Sequence, residues 1–190
     1  MIYKKYQNAR NAAWQCLLDF NITELPIKPT FIAKACGIKI IKDSKVHLLE
    51  DGKSGASYLD KGQWYIVYRD SESDQRCRFT IAHELGHIFL GHALVNDKLY
   101  RTFDSDKPSI EQEADAFAAR LLAPACALWA MDIHEPDDIS ELCGISKTAG
   151  NARANRMKVL YARNKFLLSP TEREVYKNFE RFIEEKKQYK

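Results

Sequence analysis

Apolar residues recur at spacings of three and four over residues 3–20, where Tyr6, Ala9, Ala13, Trp14, Leu17 and Leu18 fall on one side and predict an amphipathic helix that stops near Asn21. After the turn from Pro26 to Pro29, Thr30 can cap a short helix through Ala35, and Gly37 ends it before the β-branched run Ile38-Lys39-Ile40-Ile41. The pattern then switches to strands at 54–59 and 63–68. Asp60-Lys61-Gly62 joins them, with Gly62 free to take the positive φ of a tight hairpin.

From Ser73 to about Gly91 the helical period returns, with Phe79, Ala82, Leu85, Gly86, Phe89 and Leu90 supplying the apolar surface. A further helix is predicted from Ser109, three residues before Gln112 in a capping-box arrangement, to Leu122 before Pro124. Residues 92–108 between them read as a polar loop. Three more helices follow at 137–143, 146–163 and 170 to the end, the last with acidic and basic residues mixed along a solvated face. The sum is an α+β fold: a small, mostly antiparallel sheet packed on the 73–91 helix, plus C-terminal helices.

Composition narrows the setting. A chain of 190 residues with 45% hydrophobic content can build one ordinary core and a small helical addition. No apolar run approaches the roughly 18 residues of a membrane span, and the N-terminus lacks the pattern of a secretory signal. Five scattered cysteines, none in a C-x-x-C pair, speak against a disulfide framework or a cysteine-based zinc site and point to the reducing cytoplasm. The net charge of +3 is too small to imply nucleic acid by itself.

The chemistry sits in "RFTIAHELGHIFLGH", residues 78–92. His83 and His87 are four apart on a helix, so both imidazoles lie on one face and can reach one ion. Glu84 is about 100° around the helix from His83, placed to serve as general base for a water on that ion without being a ligand. Hydrolytic zinc takes a third protein ligand and leaves a position for water. His92 is out of register for the metzincin pattern, which needs Gly at 90 and His at 93 where this chain has Leu90 and Ala93, and it reads as structural. The other source is "EQEADAFAARLLAP", residues 111–124. There Glu111 and Asp115 share a face while Glu113 points elsewhere, so Glu111 is the expected third ligand. Asp115 is expected to accept from the far ring nitrogen of His83. Zinc suits this His2Glu set, and manganese or iron can also occupy it.

Together these two blocks resemble the ImmA/IrrE family of metallopeptidases. "LPIKPTFIAKACGIKII" resembles that family's opening helix and strand, "WYIVYRD" its strand before the metal helix, and "ISELCGISKTAGNARANRM" its trailing helix-turn-helix-like segment. The likeness covers roughly residues 25–163, and the one departure is Ala123, where the family usually carries Met before the proline. The chain is expected to divide into a zincin-like domain over 1–130 with an N-terminal helix and a C-terminal helical region over 131–190, made of a helix-turn-helix-like segment (137–163) and a terminal helix (170–188) that lies outside the likeness. The likeness implies metal on His83, His87 and Glu111, acid/base work by Glu84, and a protein substrate: a helix-turn-helix repressor of a bacterium, phage or mobile element. By analogy with zincin-like folds, strand 63–68 is the expected edge on which an extended substrate adds. Tyr58, Tyr65, Tyr68, Tyr100, His92 and Arg120 are the oxyanion donors on offer.

Two other classes compete. From Gly144 to Leu168 every charged residue is basic, namely Lys147, Arg153, Arg156, Lys158, Arg163 and Lys165, and a basic helix after a glycine-containing turn can suit DNA. The second alternative is an antitoxin-like regulator with a structural metal. Structural zinc sites are normally closed by four protein ligands, whereas three are identifiable here, which favours an open, catalytic ion.

Overall fold

A computed structural model describes residues 7–92 and 108–188. Its contacts divide the chain into two compact units, one formed by residues 1–12 and 28–118 and the other by 13–27 and 119–190.

In the first unit, α1 (Gln7–Asp19) begins and α2 (Pro29–Ala35) follows. Pro29 occupies the first turn of α2, where its missing N–H costs nothing, and Lys28 is the residue before it, so Thr30 is not the cap. Strand β1 (Lys39–Lys42) leads into a single helical turn, α3 (Asp43–Val46), which was too short to announce itself by periodicity. Strands β2 (Gly55–Asp60) and β3 (Gln63–Tyr68) form the expected hairpin, with both Lys61 (φ 47°) and Gly62 (φ 80°) left-handed at its tip.

The sheet order is β1-β3-β2. β2 and β3 pair antiparallel, Gly55 opposite Tyr68 through Asp60 opposite Gln63. β1 pairs parallel with β3, Lys39 opposite Tyr65 through Lys42 opposite Tyr68. The sheet is therefore mixed, with its two pairings split evenly between the two directions. The chain leaves β1, passes through α3 and β2, and returns at the same end to start β3, a connection long enough for a parallel neighbour. A second consequence corrects the expectation for substrate: β3 is the central strand, hydrogen-bonded on both sides, and the free edge near the helix belongs to β2.

Helix α4 (Asp74–Phe89) is capped by Ser73, whose side chain accepts from the Arg76 amide, and packs on β2, β3 and α2. It buries Ile81, Ala82 and Leu85 fully, as the sheet does Ile66 and Val67. Helix α5 (Pro108–Leu122) starts near the expected residue; the side chain of Ser109, and residues 93–107 of the polar loop, lie outside the described set. Where α4 and α5 meet, a Cβ on Gly86 would lie 3.1 Å from Phe117 Cδ1 and 3.2 Å from Ala114 Cα. The bare glycine allows this close approach of two backbones.

The second unit is helical. It contains α6 (Ala125–Ala130), α7 (Pro136–Cys143), α8 (Lys147–Ala162) and α9 (Pro170–Gln188). α7 ends at Gly144 in the left-handed conformation and α8 restarts at once under a Ser146 cap, giving a tight helix-turn-helix-like pair. Their crossing is close enough that a Cβ on Gly150 would overlap Ser140 Oγ at 2.0 Å. α9 seats Val175, Phe179 and Ile183 on α6, a stripe at helical spacing.

Candidate metal centre

α4 carries His83, Glu84 and His87, and α5 carries Glu111 and Asp115. One turn of α4 separates His83 from His87, and their Nε2 atoms come within 3.0 Å of each other. From α5, Glu111 places Oε2 3.1 Å from His83 Nε2 and Oε1 3.4 Å from His87 Nε2. These three residues form a group whose donor atoms all lie within 4.8 Å of one another. Ligands about 2.05 Å from a tetrahedral zinc sit about 3.3 Å apart, so separations of 3.0, 3.1 and 3.4 Å fit a single ion at their centre. Two imidazoles and one carboxylate are also the donor chemistry of an open hydrolytic site.

The far sides of the rings are held as well. Asp115 Oδ1 accepts from His83 Nδ1 at 2.9 Å, so that Nε2 is the nitrogen whose lone pair would face a cation at the centre. Burial works against a charge on His83, but Asp115 and then Glu111 outweigh it and push its pKa up to about 9 without metal. Glu111 is held well below the usual carboxylate range, first by the hydrogen bond from His83 and then by that from His87.

His87 has a less obvious neighbour. Its Nδ1 lies 3.1 Å from Nδ1 of His92, and His92 Nε2 lies 3.1 Å from Glu113 Oε2. His92 is buried, and desolvation lowers its pKa, which favours the neutral ring. The helical wheel correctly sends Glu113 away from the face shared by Glu111 and Asp115, yet it does not leave Glu113 idle. What the wheel omits is a partner arriving from beyond the end of α4. Gly91, with φ 73°, turns the chain there and brings His92 back against His87.

Glu84 is buried at 7% exposure and lines the same cleft as the two histidines. Its carboxylate lies against β2: a Cβ on Gly55 would fall 3.2 Å from Glu84 Oε1 and 2.3 Å from Thr80 Cγ2. The cleft, about 680 Å³, is lined by Gly55, Ala56 and Ser57 of β2, by the loop that carries Leu48 and Leu49, and by His83, Glu84, His87 and Glu111. Phe79 and Leu48 give it apolar wall, and Leu48 is 59% exposed. That loop is fastened from below. Asp43 Oδ1 accepts from the amides of Leu48 and Leu49 at 2.9 and 3.0 Å, while Arg69 donates to the carbonyls of Lys53 and Glu50 at 2.7 and 2.8 Å. Among the suggested oxyanion donors, Tyr58 and Tyr65 instead stack on each other at 5.1 Å between β2 and β3.

The basic segment of the second unit is less available than its composition suggests. The Arg153 guanidinium turns inward to donate to the Ala123 carbonyl, and its burial lowers its pKa to about 10. Lys147 lies 3.9 Å from Asp137, so part of the positive field of α8 is locally offset. None of the described helices is long and apolar enough to cross a membrane.

No curated protein matches the chain. A family model described as the IrrE N-terminal-like domain, Peptidase_M78, matches residues 33–155, a span that holds α4, α5 and the whole sheet. With that match over well more than half its length, and with the H-E-x-x-H histidines converging on Glu111, the chain belongs to the IrrE N-terminal-like family of M78 peptidases.

Proposed function

We propose that this protein is a zinc-type endopeptidase in which His83, His87 and Glu111 hold the cation and Glu84 is the general base, with the catalytic machinery in residues 1–130 and the helices of 131–190 accessory to it. The observation that carries the reading is the convergence of two imidazole Nε2 atoms and one carboxylate at mutual distances of 3.0–3.4 Å beside a cleft. A divalent cation, when held there, supplies Lewis acidity for the attacking water and the scissile carbonyl. Glu84, one residue from the first ligand and buried in the cleft wall, takes the proton from that water and returns it to the leaving amine. Asp115 keeps His83 in the tautomer that presents Nε2.

A peptide in extended form fits this cleft. The free edge of β2 offers the backbone groups of Gly55 and Ser57, those of Ala56 being turned to Val67 of β3, and an added strand there would run past Glu84 in the cleft that Leu48 and Phe79 also line. The substrate we assign is a helix-turn-helix repressor acting in the cytoplasm of a bacterium or on a mobile element; family likeness supports it. The test is to purify the chain, measure bound metal, and incubate wild type and Glu84→Gln with the repressor encoded beside the gene. Wild type should yield fragments, and Glu84→Gln should bind metal equally while cleaving at least about a hundredfold more slowly, since the amide cannot accept a proton. Equal cleavage by both would remove Glu84 from the mechanism, and Glu111→Ala retaining full metal would remove the ligand set.

A further inference from the structure

We infer that His92 and Glu113 form an outer hydrogen-bonded arm that orients His87 for the cation, making His92 a positioning residue; this rests on the metal reading just given. The argument is one of proton placement. His87 Nε2 faces Glu111 and His83, so as a ligand it must present a lone pair and carry its proton on Nδ1. That Nδ1 is 3.1 Å from His92 Nδ1. Two protonated nitrogens cannot share the contact, so His92 Nδ1 accepts and its proton sits on Nε2. Nε2 then has an acceptor waiting, Glu113 Oε2 at 3.1 Å. Each group along the line has one role available, and all of the roles agree: Glu113 accepts from His92, His92 accepts from His87, and His87 offers its remaining lone pair to the centre.

Burying the His92 imidazole at 8% exposure costs free energy unless its polar atoms are paired, and here the pairing continues through a metal-binding residue to a carboxylate. The arrangement also completes a symmetry within α5. Glu111 reaches the centre directly, Asp115 reaches it through His83, and Glu113 reaches it through His92 and His87. Three acids on alternate positions of one helical turn thus serve one site, although they point to different sides of the helix. Outer partners of this kind restrict ring rotation and increase ligand basicity.

The experiment uses the full chain, stripped of metal and titrated with Zn2+ in competition with a chromophoric chelator, alongside long-range 1H–15N spectra of the zinc-loaded protein. His92→Phe, which keeps a ring in the space, should weaken zinc binding about 10- to 100-fold, and Glu113→Gln should weaken it by less, with the metal-free unfolding midpoint of Glu113→Gln near wild type. The spectra should place the proton of His87 on Nδ1 and that of His92 on Nε2. Unchanged affinity in Glu113→Gln and His92→Phe, or a His92 proton found on Nδ1 in the loaded wild type, would overturn the inference and leave the ligand set standing. Failure of the wild type to take up any divalent ion would instead overturn the metal reading itself, and this inference with it.

Discussion

Ala114 Cα lies 3.2 Å from the point that a Cβ on Gly86 would occupy. Gly86 sits inside the H-E-x-x-H motif, directly before His87, and Ala114 lies between Glu111 and Asp115, the two acids that meet His83. The two helices that carry the candidate ligands therefore touch at a residue without a side chain, and that contact sets how far Glu111 must reach.

Substitution at Gly86 separates helix propensity from fit. Alanine gains about 1 kcal/mol of helix propensity, but the crowding against Ala114 and Phe117 costs about 1–3 kcal/mol. Gly86→Ala should therefore leave stability unchanged or lower it by up to about 2 kcal/mol, while Gly86→Val should lower it further. Both should weaken zinc binding, valine more, because a few tenths of an ångström between helices misplaces the Glu111 carboxylate. Urea unfolding and chelator competition on the same samples check this, and zinc affinity equal to wild type in Gly86→Val would show that the helix spacing does not control the site.

Gly55→Ala tests the other face of α4. The new methyl would overlap Thr80 Cγ2 at 2.3 Å and crowd Glu84 Oε1 at 3.2 Å, so we expect a loss of about 1–3 kcal/mol and a fall in cleavage with metal affinity preserved. Adding Thr80→Ser removes the methyl group in the way. A double-mutant cycle should then show positive coupling, with much of the stability recovered; strict additivity would mean that the backbone relaxes elsewhere.

The metal-free protein should lose stability in alkaline solution. His83 has its pKa raised from an ordinary 6.5 to about 9 when folded, so folding favours its protonated form. That contribution is complete below about pH 6.5 and disappears as pH rises through 9. Allowing for solvent screening of the exposed Glu111 and Asp115 carboxylates, it amounts to on the order of 2 kcal/mol. Glu111 has the opposite sign: its depressed pKa gives stability that is present above the unfolded carboxylate pKa of about 4.5 and is lost only in strong acid. Urea unfolding in the presence of a chelator at pH 6, 7, 8 and 9 should show the decline attributable to His83. Zinc should largely remove it, since the ion takes the place of that proton. A flat profile without metal would mean that His83 is not charged by its neighbours.

Much of this site is legible in the sequence because it depends on helical spacing alone. His83 with His87, and Glu111 with Asp115, are each four apart, and that rule places both pairs correctly on facing sides of two helices. The rule has nothing to say about His92, which joins the site through a left-handed turn at Gly91, and so it could not see a purpose for Glu113. A signal was present all the same: a third histidine one residue past a glycine that ends the helix. Gly86 and Gly55 were opaque for a different reason, since a close approach is a property of two segments and the sequence prints only one at a time. Pairing direction was opaque too. The hairpin of β2 and β3 follows from Lys61-Gly62, whereas the parallel union of β1 with β3 depends on the path the chain takes in between.

Arg69 has one more implication. By gripping the carbonyls of Glu50 and Lys53, it occupies the backbone acceptors with which that side of the cleft could otherwise have zipped to a visitor. A guest chain is thus offered main-chain pairing along β2 and a greasy, already-shaped bank opposite. Little ordering entropy is spent on assembling the bank at the moment of encounter. Under the proposed function, discrimination among guests would fall to the few side chains that meet Leu48 and Phe79, and a short, exposed length of unfolded chain would be enough to grasp.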